Sequence, residues 1–157
     1  MYGFDYRHRV RYRECDPMGF VYHAHYIDYF EAARTETLRS LGISARSLED
    51  EGILLPVVDL AVSYKRPGRY DELLTIRCVI PAPPAARLKT TYEVFRDGEP
   101  RPLCTGHVTV CFFDTRRHRP IPAPAALVTA LEARGAAERP ADVFSPFLPA
   151  ELHAEPR

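Results

Sequence analysis

The sequence predicts an α+β domain in which a curved antiparallel sheet wraps one long central helix, and three observations lead there. One alternating strand opens the chain, a single long run of helical period follows it, and four β-rich runs come after. The linkers between those runs are short. Parallel neighbours need a crossover of a dozen or more residues, so these strands pair antiparallel.

Residues 6–14 alternate strictly, with Tyr6, His8, Val10 and Tyr12 on one side and Arg7, Arg9, Arg11 and Arg13 on the other, the pattern of a half-buried strand. Asp16-Pro17 and Gly19 supply turn chemistry over residues 15–21. Tyr26, Ile27, Phe30, Ala33, Leu38 and Leu41 then recur at helical spacing up to Gly42. This helix has about five turns, and its solvent face carries Asp28, Glu31, Arg34, Glu36 and Arg39. Ser44 and Gly52 can bracket a further short helix.

Residues 53–65, 73–80, 88–96 and 103–113 are β-rich, divided by Pro67-Gly68, the proline cluster at 81–84 and the hairpin pair Asp97-Gly98. With the first strand they make a five-stranded antiparallel sheet. Pro124 is suited to start a last short helix over residues 125–134. Residues 1–134 are therefore expected to form one domain, and residues 135–157, rich in Ala, Glu and Pro, a weakly ordered tail. Within the tail, Val143, Phe144, Phe147 and Leu148 are the side chains able to dock on a surface groove. One helix covers only part of five strands, so an edge strand is expected to pair with a second copy in a homodimer.

Lys and Arg number 21 and Asp and Glu number 21 in 157 residues, so the overall charge gives no reason to expect nucleic acid or an anionic membrane as partner. No apolar run approaches the roughly 18 residues of a membrane span, and the first residues are Arg-rich and aromatic, so a cytoplasmic location is expected. Cys15, Cys78, Cys104 and Cys111 are widely spaced with no Cys-x-x-Cys pair. Buried reduced thiols are expected, and neither disulfides nor a zinc site.

Tyr12, Glu14, Cys15, Asp16, His23 and His25 crowd the junction of the first strand with the long helix. The free N–H groups of a helix start carry partial positive charge and can polarise a carbonyl. A carboxylate a few residues earlier supplies a nucleophile, or a base that activates water. Asp16 followed by Pro17 is equally ordinary turn chemistry, so both readings stay open. His23-x-His25 lacks a third metal ligand and Cys15 lacks an adjacent base. The first-strand arginines face away from its aromatics, which denies that strand the interleaved platform of a single-strand nucleic-acid binder.

The run Tyr12-Arg13-Glu14-Cys15-Asp16-Pro17-Met18-Gly19-Phe20-Val21-Tyr22-His23-Ala24-His25-Tyr26 resembles the signature of the 4-hydroxybenzoyl-CoA thioesterase-like acyl-CoA thioesterases, which have the hotdog fold. Looser similarity extends from about Arg7 to Leu131 through Pro56, the stretch at 64–71 and Ile121-Pro122, and leaves the tail uncovered. The resemblance implies hydrolysis of an acyl-CoA thioester with Asp16 at the catalytic carboxylate position and Tyr12 beside it. It places His23 where a backbone N–H polarises the carbonyl. Tyr22, His25, Tyr26, Pro56 and Tyr64 then line the substrate site, with His25 standing where the family commonly has Asn. By position Arg87 and Lys89 resemble the basic residues that meet the coenzyme phosphates, and Lys65, Arg66 and Arg69 are the next candidates. No metal or redox cofactor is implied, since coenzyme A is part of the substrate, and an acyl carrier protein thioester is an alternative to acyl-CoA. The expected assembly is a homodimer or homotetramer. A hotdog dehydratase and a non-catalytic acyl-CoA-binding module are the rival readings. A small RNA-binding protein would rest on the first-strand arginines alone.

Overall fold

The computed structural model describes residues 1–135, so all of the predicted tail except Gly135, which ends the last helix, lies outside the described residues. Seven strands and three helices follow one another as β1 (Tyr2–Arg9), α1 (His25–Ser40), α2 (Ala45–Asp50), β2 (Ile53–Leu54), β3 (Val57–Tyr64), β4 (Leu73–Ile80), β5 (Arg87–Arg96), β6 (Cys104–Asp114), β7 (Arg119–Ile121) and α3 (Ala125–Gly135). All strand pairs are antiparallel, in the order β1-β4-β5-β6, with β2, β3 and β7 each pairing with β6.

The antiparallel sheet stands as expected, but with seven strands in place of five, and the long helix is joined by two short ones, where Ser44 to Gly52 and residues 125–134 led one to expect them. The run at 53–65 divides into β2 and β3 because Pro56 lacks an N–H for the ladder, although its carbonyl still accepts the Cys111 N–H at 3.1 Å. β7 is three residues long and contains Pro120, too short a pattern to read from sequence. α2 and α3 join α1, and α2 is capped as predicted, Ser44 Oγ accepting the Ser47 N–H at 3.0 Å.

The first strand is also displaced. β1 begins at Tyr2 and ends at Arg9, after which Tyr12–Glu14 coil into a 3-10 turn. Val10 N–H bonds the Glu72 carbonyl, Asp71 N–H bonds the Val10 carbonyl, and the Arg11 N–H goes to the Glu14 carboxylate instead of a ladder partner. Tyr12 consequently points out rather than in and is 81% exposed. Cys78 and Cys104 are buried thiols as expected, whereas Cys15 and Cys111 are only half-buried; all four are free.

Strand alternation decides which sheet face meets α1. Leu74, Ile76, Cys78 and Ile80 of β4, Leu88, Thr90, Tyr92 and Val94 of β5, and Cys104, Val108, Val110 and Phe112 of β6 are buried. Phe30 of α1, fully buried, stacks on Tyr92 with ring centroids 4.3 Å apart. Its ring presses on Gly106, where a Cβ would stand 2.7 Å from Phe30 and 2.6 Å from the Ala61 carbonyl oxygen. No side chain fits between helix and sheet there. Among the described residues no helix is long and apolar enough to cross a membrane.

Gly106→Ala should therefore cost about 1–3 kcal/mol of stability by overpacking, seen as a fall of several degrees in Tm. An unchanged Tm would show that α1 is not seated this closely.

Candidate active site

The site is built around a carboxylate that sequence analysis placed in the cluster without assigning it a role. Glu14 is 7% exposed. Its Oε2 accepts the Arg11 N–H at 2.8 Å and the Tyr29 hydroxyl at 2.9 Å, and His8 Nε2 lies 2.9 and 3.1 Å from its two oxygens. An ionised carboxylate only accepts, so His8 carries its proton on Nε2 in this contact. Burial pushes the Glu14 carboxyl up, but the bonds from His8, Arg11 and Tyr29 outweigh it and hold the group below its ordinary value. Burial, then the Glu14 contact, drives the Tyr29 phenol far up. The inward position of His8 in the alternating pattern was the one sequence signal available. Its pairing with a residue beyond the strand has no period to reveal it.

Glu14 then sets the turn that follows. Its carbonyl accepts the Tyr22 N–H at 2.9 Å, and Cys15 bridges Val21 across the loop. Asp16 N–H bonds the Phe20 carbonyl at 2.8 Å, and Gly19, at φ 80, returns its N–H to the Asp16 carbonyl at 2.9 Å. The Val21 N–H bonds the Gly68 carbonyl, while the Gly68 N–H donates to the Tyr26 hydroxyl at 3.1 Å. Carboxylate, turn and helix start are thus tied to one another and to the β3–β4 connection.

Asp16 is half-buried. Its Oδ1 accepts the Met18 N–H at 2.9 Å and the Phe20 N–H at 3.2 Å, the turn bonds that its Pro17 neighbour foretold. Among the described residues no hydrogen bond to Oδ2 is found, so the turn orients the carboxylate through one oxygen and leaves the other available. The Cys15 thiol is pushed up by burial and then by Glu14 and Asp16, which opposes the thiolate form a nucleophile needs.

Helix α1 begins without a side-chain cap, Ala24 standing at the N-cap position. His25 N–H bonds the Tyr22 carbonyl, but among the described residues no acceptor is found for the N–H groups of His23 and Ala24. Both imidazoles lie on the surface layer: His23 is exposed, with its ring 4.4 Å from that of Tyr22, and His25 Nδ1 stands 2.8 Å from Asp28. Tyr64 donates its hydroxyl to the His23 carbonyl at 2.8 Å, which fixes the backbone of the helix approach to the end of β3. Tyr26 is buried against Tyr29 and Tyr64, with its phenol pushed up to about 12 chiefly by burial.

Asp16, Tyr22, His23, His25, Tyr26 and Tyr64 thus gather at one end of α1. Four predicted residues, Tyr12, Pro56, Arg87 and Lys89, do not join them in this chain. Tyr12 leans edge-on against Tyr70, rings 5.6 Å apart, with no hydrogen bond to Asp16 found. Pro56 lines a separate 330 Å³ groove between the later half of α1 and β2, with Glu31, Arg34 and Leu48. The end of β5 reaches the β3–β4 connection through Arg96, which donates to the Pro67 carbonyl beside the Gly68 that holds Tyr26, so Arg87 stands nine residues, about 30 Å of strand, away from that end. Arg87 and Lys89 also sit on the sheet face opposite that of Leu88 and Thr90.

Glu14→Gln keeps the shape and loses the charge, and should lower unfolding free energy at pH 7 by about 1–3 kcal/mol. Because the folded carboxyl titrates below its unfolded value, this gap should be full above about pH 4.5 and shrink as pH falls through the folded pKa. Denaturant titrations of parent and variant across pH 3–7 measure it. A gap independent of pH would mean that the charge is not what Glu14 contributes.

The sequence profile of the Thioesterase-like superfamily matches residues 10–131. The acyl-CoA thioester hydrolase YbgC of Escherichia coli O6:H1 is 32% identical over 120 residues, which cover 76% of this chain and 89% of that protein. A closer but shorter likeness, 45% over 67 residues, links 43% of the chain to YneP of Bacillus subtilis and spans about half, 49%, of that protein's length. Among solved structures, a DHNA-CoA thioesterase from Staphylococcus aureus superposes with a TM-score of 0.76 at 30% identity, covering 86% of this chain and 96% of its own. The matched stretch contains Glu14 with its partners Arg11 and Tyr29, the Asp16 turn and the whole of α1, while His8 lies just ahead of it, and the chain belongs to the thioesterase-like superfamily, with its hotdog fold.

Proposed function

We propose that the protein hydrolyses an acyl-CoA thioester to the free acid and coenzyme A, with Asp16 as the reacting carboxylate. The observation that carries this reading is the Asp16 turn bonded, through Glu14 and Tyr22, to a helix start whose His23 and Ala24 N–H groups have no acceptor among the described residues. A thioester carbonyl presented there receives N–H donors on its oxygen, and the charge that develops on that oxygen is stabilised by them and by the helix dipole. Asp16 Oδ2 either attacks the carbonyl carbon, expelling the coenzyme thiolate and leaving an anhydride that water opens, or takes a proton from the water that attacks. Both routes consume one water and give the acid and the thiol. In this reading Tyr64 holds the His23 backbone in place and Tyr22, His25 and Tyr26 border the acyl group.

A second copy belongs to this reading. Among the described residues β3 pairs only with β6, and Val57 and Val58 on it are 52% and 47% exposed. An edge strand bearing exposed valines is a strand to which another can add. In this reading the protein works as a homodimer or a pair of dimers, and its place is the cytoplasm.

Asp16→Asn should retain the fold and bind substrate within a few-fold of the parent, while kcat for the best acyl-CoA falls by about a hundredfold or more. His23→Ala should reduce kcat by less than tenfold if the backbone N–H is the donor, since the ring is not. A fully active Asp16→Asn enzyme would remove the carboxylate from the mechanism.

A further inference from the structure

A shallow groove of about 550 Å³ runs along the end of β1 and is lined by Arg7, Arg9, Arg11, Tyr12, Tyr70 and Asp71, among others. Its two exposed tyrosines are the unusual feature. Tyr12 and Tyr70, 81% and 57% exposed, stand edge to face, and their placement is held by the backbone bonds of Val10 with Asp71 and Glu72. Asp71 holds a left-handed φ of 65° at the turn that presents Tyr70. Two of the groove's cations are partly neutralised, Arg7 by Asp97 and Arg9 by Asp71. Among the described residues the Arg11 guanidinium has no acidic partner, and Arg69, which precedes Tyr70 in the chain and stands outside the groove's lining, lies over the Phe20 ring at 4.8 Å.

We propose that this groove holds the nucleotide end of the coenzyme, its adenine against Tyr12 and Tyr70 and its phosphates beside Arg11 and Arg69. Exposed aromatic rings with arginines at their margin are what a purine nucleotide recognises: a π-face to stack on, and guanidinium groups for phosphate oxygens. The location suits the substrate. Tyr12 is four residues from Asp16, at most about 14 Å of extended chain and less through the 3-10 turn, a gap that a pantetheine arm bridges. Arg87 and Lys89, the positions suggested by resemblance, lie at the other end of the sheet and would have to come from a second copy. An acidic carrier protein would use the same arginines but has no use for the two rings, which is why a nucleotide is favoured here. The inference rests on the acyl-CoA reading for the ligand's identity, and on the groove for its place.

The test compares one acyl group carried on coenzyme A and on pantetheine, with adenosine 3′,5′-bisphosphate as competitor. In the parent, KM for acyl-CoA should lie about tenfold or more below that for acyl-pantetheine. In Tyr70→Leu and in Arg11→Gln, both surface changes whose folding is checked by Tm, the two KM values should converge through a rise in that for acyl-CoA, with kcat within twofold. Inhibition by the bisphosphate should weaken in parallel. A KM ratio unchanged in both variants overturns the proposal, as does a ratio that collapses only in the Arg87→Gln/Lys89→Gln double variant. A KM for acyl carrier protein thioester that moves while the coenzyme-to-pantetheine ratio stays fixed also overturns it, in favour of an acidic protein. If the parent hydrolyses neither thioester, the thioesterase reading fails by itself, and calorimetry still decides the groove: bisphosphate binding lost in Tyr70→Leu supports it, and no binding to the parent refutes it.

Discussion

The arrangement depends on one carboxylate taken out of water. Desolvating Glu14 is unfavourable unless its oxygens find donors, and the donors come from the end of β1, from the backbone entering the 3-10 turn and from the first turns of α1. Three segments that sequence alone leaves independent are thereby brought to one point. The chain is turned out of the sheet after Arg9, the Asp16 turn is started in a defined direction, and the helix is docked through Tyr29. Charge-assisted bonds of this kind are directional, so they select one arrangement rather than merely favouring compactness.

The helix start shows the complementary economy. A Ser, Thr, Asp or Asn at the N-cap of α1 would stabilise the helix by about 1 kcal/mol, and Ala24 forgoes it. The stability is recovered elsewhere, through Phe30 on Tyr92 and Gly106 and through the Tyr64 hydroxyl on the His23 carbonyl. The N–H groups of His23 and Ala24, which lie ahead of the helix and for which no acceptor is found among the described residues, are the ones open to a substrate oxygen, and that is the property the proposed chemistry uses.

Periodic features could be read from sequence and cooperative ones could not. Phe30, Ala33 and Leu38 announced α1 by spacing, and Asp97-Gly98 announced the β5–β6 hairpin, because each depends on neighbours in the chain. The strand boundary was misjudged because Arg11 and Arg13 continue an alternation that the backbone has already left, its direction changed by the Glu14 bonds. Pro56 marked the break between β2 and β3 but was outweighed by the valines and leucines around it. In the site, Asp16 and His23 were visible through a motif, whereas His8, Tyr29 and Glu14 form a network whose members share no period. The outward turn of Tyr12 follows from that same network, and it carries the exposed ring toward Tyr70.

The central claim is that the Asp16 turn and the uncapped start of α1 together open a thioester. The most direct measurement is free-thiol release when the purified protein is given a panel of aryl and short to long aliphatic acyl-CoAs, run in ¹⁸O-labelled water with the acid product analysed by mass. The account predicts stoichiometric thiol and acid, with one solvent oxygen in the acid under multiple turnovers, for at least one member of the panel. Tight binding of acyl-CoA without thiol release across the panel would contradict it and leave the fold as a binding module.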